Sequence, residues 1–99
     1  MYGEDRGVDR VQARLRVVFE GRVQHVGFRY TALYLARGLG LTGWVSNRAD
    51  GTVLMEVQGP AAEIRKMLMR LKSQPHLHIT HTGITELETV PGEKQFRVR

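Results

Sequence analysis

Residues 11–29 read VQARLRVVFEGRVQHVGFR, and the fold turns on how this stretch changes character. As far as Glu20 it alternates. Val11, Ala13, Leu15, Val17 and Phe19 fall on one side, and Gln12, Arg14, Arg16 and Glu20 on the other, with Val18 the exception. A period of two over that length predicts a half-buried strand with a polar outward side. Residues 21–27 carry two glycines and end the alternation. From Phe28 the period lengthens. Phe28, Ala32, Leu35, Ala36 and Leu39 share a face, which predicts a helix over residues 28–39 closed by Gly38 and Gly40.

The same reading extends outward. A strand is expected at residues 42–47, and Asp50-Gly51 is a hairpin signal. Val53, Met55 and Val57 alternate in a third strand that Gly59-Pro60 ends. Ile64, Met67, Leu68 and Leu71 sit at i, i+3, i+4 and i+7, so a second helix is expected over residues 61–71, with Pro60 suited to its first turn. A fourth strand is expected over residues 79–88, and Phe96 and Val98 alternate in a short last one. The order β-α-β-β-α-β plus a short strand is that of an α+β, ferredoxin-like βαββαβ sandwich. Its sheet is mostly antiparallel, with two helices on one face. Residues 1–9 are charged and aperiodic, and read as a flexible N-terminal leader before a domain of residues 10–99.

A chain of 99 residues suits one domain. It has no cysteine, which excludes disulfides and thiol nucleophiles. No apolar run approaches the ~20 residues that span a bilayer, and no apolar signal core opens the chain. A cytoplasmic protein without a membrane partner is expected. The net charge is +5, and the excess is spread: residues 1–50 carry eight Lys/Arg against five Asp/Glu, and residues 51–99 seven against five. A spread excess favours anionic partners, from small phosphates to nucleic acid, without choosing among them.

Topology adds a functional inference. The first strand, first helix and second strand form one crossover, so the two strands run parallel and end at the same edge of the sheet. The loop after the first strand and Asn47 at the end of the second should share one end of the molecule. That loop leads into a helix N-terminus, where unpaired amides and the helix dipole favour an anion. Arg29 stands at the start of the helix with a planar fork that suits two phosphate oxygens. On the residues alone, an anion site and an ordinary βα loop with a surface Arg both remain open.

Gly21-Arg22-Val23-Gln24-His25-Val26-Gly27-Phe28-Arg29 resembles the acylphosphatase signature G-x-V-Q-G-V-G-F-R at every fixed position but one. Gly43-Trp44-Val45-Ser46-Asn47-Arg48-Ala49-Asp50-Gly51-Thr52-Val53, followed by Gly59, resembles the second signature of the same family, with Ser46 where a longer side chain is usual. The similarity runs from about residue 10 onward. The resemblance implies hydrolysis of a small-molecule acyl phosphate to a carboxylate and inorganic phosphate, with no cofactor, no metal and no covalent intermediate. It assigns the essential Arg to Arg29 and the essential, water-orienting Asn to Asn47. The phosphate-cradling amides fall on Gln24, His25, Val26, Gly27, Phe28 and Arg29, where inorganic phosphate or sulfate is the expected ligand. A monomer is expected.

His25 stands where the family has Gly. If that position needs φ > 0, a His there costs roughly 1–2 kcal/mol. A tolerated substitution with the ring toward solvent is favoured over a tuned site. His76, His78 and His81 suggest a metal site, but no carboxylate or cysteine in their segment completes a set. Trp44 and Tyr30 lie near the expected site, with packing the favoured role. Arg65, Lys66, Arg70 and Lys72 form a basic helix face, read as solvated, and Arg97 and Arg99 are candidates to pair with strand-edge acids. The alternative function is a small basic nucleic-acid-binding domain or a catalytically weak phosphate-binding module. RNA-binding domains of this topology expose aromatics on their central strands. Here the outward residues are Gln12, Arg14, Arg16, Thr52, Leu54, Glu56 and Gln58, which disfavours nucleic acid.

Overall fold

The computed structural model describes residues 11–99, so the expected leader at residues 1–9 lies outside the described residues. The elements are β1 (Gln12–Arg22), α1 (Phe28–Gly38), β2 (Thr42–Asn47), β3 (Val53–Pro60), α2 (Ala61–Lys72), β4 (His78–Leu87) and β5 (Phe96–Val98). They build one sheet of order β4-β1-β3-β2-β5. β1 pairs antiparallel with β3 and β4, and β2 pairs antiparallel with β3. β1 and β2 therefore point the same way on either side of β3, as the crossover required. β5 adds a parallel strand outside β2. This is the ferredoxin-like α+β arrangement, with α1 and α2 on one face.

The helix-side positions of the strands meet the apolar stripes of the helices. Val17 and Phe19 of β1, Val45 of β2, and Met55 and Val57 of β3 are fully buried, as are Ala32, Ala36, Met67 and Leu71 from the helices. Burying each large aliphatic or aromatic side chain contributes about 1.5–3 kcal/mol. The rings of Phe19 and Phe28 lie 4.7 Å apart, tilted by 53°. They stand on either side of the loop between β1 and α1, so one aromatic contact pins both of its ends to the core.

Two features depart from the sequence reading. β1 does not stop at Gly21 but continues to Arg22, through a register shift against β4 between Glu20 and Gly21. Gly21 has φ 123°, and a Cβ there would lie 2.1 Å from the carbonyl oxygen of His78. Only glycine lets β4 approach this closely while the chain turns toward the loop. The second departure is Arg14, which lies on the face away from the helices but is only 3% exposed. Residues 88–95 must travel from one sheet edge to the other, and they cover this end of the open face. Gln58 exchanges two hydrogen bonds with the Val90 backbone, of 3.0 and 2.7 Å. Glu93 reaches Arg14 Nη1 at 2.8 Å. Beneath that cover Arg14 Nε donates to Glu56 Oε1 at 3.0 Å, and Arg16 Nη2 donates to Glu56 Oε2 at 2.9 Å. The buried charges are thus paired, as burial demands.

The hairpin at Asp50-Gly51 forms, with a longer loop than a two-residue turn. Asp50 Oδ1 accepts from Thr52 N at 2.9 Å, Arg48 N donates to Thr52 O at 2.9 Å, and Gly51 takes φ 91°. Among the described residues, no helix is long and apolar enough to cross a membrane.

Candidate functional site

The loop between β1 and α1 is shaped by two residues in left-handed conformation, His25 at φ 63° and Gly27 at φ 84°. Such residues curl successive amides into a concave array suited to an anion. Gly27 caps α1 without a side-chain hydrogen bond, and the first turn of α1 carries no acidic residue. The first intrahelical bond runs from Thr31 N to Gly27 O at 3.0 Å. The amides of the first turn before it have no intrahelical partner, and the positive end of the helix dipole is not offset by a local carboxylate.

Asn47 ends β2 beside this loop, and Gln24 holds the two together. Its Nε2 donates to Arg48 O at 2.7 Å and to Thr52 O at 2.8 Å. The side chain of Gln24 is therefore a strut between the loop and the β2–β3 turn, a role that no sequence signal separated from its expected amide contact. Val26 turns inward and packs on the core.

Between loop and strand lies a cleft of about 220 Å³ lined by Val23, His25, Gly27, Phe28, Arg29, Tyr30 and Asn47. Larger hollows along α1 and beside β5 contain neither Arg29 nor Asn47. Of the expected site residues, the cleft gathers His25, Gly27, Phe28, Arg29 and Asn47. The side chains of Gln24 and Val26 are used elsewhere. His25 is exposed at the rim, and Tyr30, 67% exposed, stands at the mouth. Among the described residues, Asn47 Oδ1 is the one buried side-chain oxygen or nitrogen with no hydrogen-bond partner. An unpartnered buried acceptor is costly, and this one belongs to a residue that lines the cleft.

Arg29 Nη1 donates to the main-chain oxygen of Arg99 at 3.0 Å. A guanidinium has five N–H donors, so this bond occupies one corner of the fork and leaves others for an anion. Arg99 was not expected here. Its amide donates to Val45 O at 2.8 Å, and its guanidinium lies 4.4 Å from the centre of the Trp44 ring. Arg99 thus stacks on an aromatic where an acid was the expected partner. Trp44 packs on the open face of the sheet, outside the cleft. His76 meets Thr31 Oγ1 at 3.1 Å. Among the described residues, no three His, Cys, Asp or Glu side chains gather as metal ligands.

The acylphosphatase family model matches residues 15–98 of this chain. An acylphosphatase of Geobacillus thermodenitrificans is 41% identical over 86 residues, which cover 86% of this chain and 92% of that protein. The crystal structure of an acylphosphatase from Bacillus subtilis superposes with a TM-score of 0.82 at 33% identity, over 88% of this chain and 98% of that one. A full-length HypF, solved in a phosphate- and nucleotide-bound form, matches with a TM-score of 0.81 at 27% identity, over 90% of this chain but only 12% of its own. With the family model spanning nearly all of the described fold, and both signatures meeting at one cleft, this chain belongs to the acylphosphatase family.

Proposed function

We propose that this chain hydrolyses acyl phosphates to a carboxylate and inorganic phosphate, with Arg29 and the loop amides holding the phosphoryl group and Asn47 orienting the attacking water. The observation that carries this reading is the single cleft that Asn47, Arg29 and the N-terminus of α1 line together. A side-chain carboxamide in that lining can hydrogen-bond a water and so hold the water's free lone pair toward phosphorus.

The chemistry asks little else of the protein. The leaving group is a weakly basic carboxylate and departs without general-acid help. Phosphoryl transfer passes through a loose transition state whose charge sits on the equatorial oxygens, so positioning and charge stabilisation dominate. The new P–O bond forms from water as the bridging P–O bond breaks. Its electron pair stays on the carboxylate, and the water's proton passes to the phosphate formed. Arg29 and the amides of residues 24–29 meet the charge that a metal ion meets in other phosphoryl-transfer sites. No side chain becomes a nucleophile.

The test is hydrolysis of benzoyl phosphate in the presence of a chelator. Wild type is expected to turn over, and Arg29→Ala and Asn47→Ala to lose about 10²–10³-fold in rate while keeping the wild-type circular dichroism spectrum. Background hydrolysis by wild type would rule out the activity. A rate that depends on added divalent metal would rule out the mechanism.

A further inference from the structure

We infer that Trp44 is a positioning residue for Arg29, acting through Arg99. The inference rests on the reading of Arg29 as the phosphate-holding residue and adds to it what keeps that side chain in place. β5 has only three residues, Phe96–Val98, and its pairing with β2 ends at Val45↔Val98. Arg99 lies one residue beyond, where a strand would fray. Two contacts hold it there: its amide to Val45 O at 2.8 Å, and its guanidinium over the Trp44 ring at 4.4 Å. Its main-chain oxygen then accepts Arg29 Nη1 at 3.0 Å.

The geometry makes these contacts serial. Trp44 and Val45 are neighbours on β2, with side chains on opposite faces of the sheet. Val45 is in the core, while Trp44 and the Arg99 guanidinium meet on the open face. The stack therefore fixes Arg99 from the side of the sheet away from the cleft, and its main-chain oxygen transmits that placement to Arg29. Arg29 is a long, flexible side chain whose fork is useful only in one orientation. Anchoring one corner on Arg99 lowers the number of orientations it must give up when phosphate arrives. An aliphatic residue at position 44 would fill similar space without attracting the cation.

The experiment measures KM for benzoyl phosphate, kcat, and the inhibition constant of inorganic phosphate. Trp44→Leu and Arg99→Met are each expected to raise KM and the inhibition constant by roughly threefold to fivefold, the range of an exposed cation–π contact, with a smaller change in kcat. Trp44→Phe, which keeps a ring face, is expected to recover most of the loss. In an Arg29→Lys background, Trp44→Leu is expected to add nothing to the inhibition constant, because the fork it positions is gone. Arg99→Met alters only an exposed side chain and carries the test if Trp44→Leu folds poorly. Unchanged constants in Arg99→Met and Trp44→Leu, no rescue by Trp44→Phe, or a loss that persists in the Arg29→Lys background would each overturn the inference. An Arg29→Ala variant with wild-type KM and turnover would instead overturn the site reading beneath it.

Discussion

His25 occupies φ 63°, a conformation that glycine adopts freely and an L-residue adopts at a cost of roughly 1–2 kcal/mol. Its side chain is exposed at the rim of the cleft, so little packing compensates. His25→Gly should therefore keep turnover and gain stability. The gain is less than the full strain, since glycine also enlarges the unfolded ensemble by about 0.5–1 kcal/mol. His25→Val, β-branched, should instead lose about 1–2 kcal/mol. Urea unfolding of the three proteins checks both signs, and a wild type more stable than His25→Gly would contradict the strain argument. At this scale the sequence was informative about identity and silent about geometry. The glycine signature flagged position 25, yet only the backbone shows that His accepts the glycine's angles. Gln24 is the converse case. Its place in the signature was plain, but its strut to Arg48 and Thr52 depends on a turn 24 to 28 residues away.

β1, β3 and the crossing segment of residues 88–95 are joined by the Arg14–Glu56–Glu93 cluster. Burial disfavours the charge on Glu56, but hydrogen bonds from Arg16 and Arg14 outweigh it and hold the carboxyl below its ordinary 4.5. Glu93 is likewise lowered from 4.5, burial again being outweighed, here by hydrogen bonds with Arg14 and Thr42. The unfolded chain therefore takes up protons before the folded one as pH falls. The stability these carboxylates contribute is present at neutral pH and is lost as pH drops below about 4.5 through the lower folded values. Urea unfolding from pH 7 downward should show this loss, and Glu56→Gln should show a smaller one. An equal acid loss in Glu56→Gln would exclude the cluster as its source. At neutral pH, Glu56→Ala should cost about 3 kcal/mol, near the low end for an orphaned buried charge, because Glu93 still faces Arg14. The strands themselves were legible from alternation. The burial of Arg14 was not, because alternation assigns a residue to a face and cannot tell which loop will later cover that face.

For the whole molecule, ligand binding and folding are linked. Inorganic phosphate bound only by the folded chain should raise the unfolding midpoint. At a hundredfold excess over its dissociation constant it should add about 2.7 kcal/mol, several degrees for a domain this size. Arg29→Ala should abolish the shift in a thermal melt, whereas an equal shift in the variant would place phosphate elsewhere. The parallel course of β1 and β2 was legible, because a crossover connection between strands of one sheet sets them parallel. The partner of β5 was not, since three residues carry too little pattern to choose an edge. That pairing has a consequence in time. During synthesis the loop and Asn47 leave the ribosome long before Arg99. A chain whose β5 has not yet docked would hold the residues that line the cleft but not the main-chain oxygen that anchors the Arg29 guanidinium. The anchoring of Arg29 would then be the last feature this site acquires, supplied from beyond a strand of only three residues.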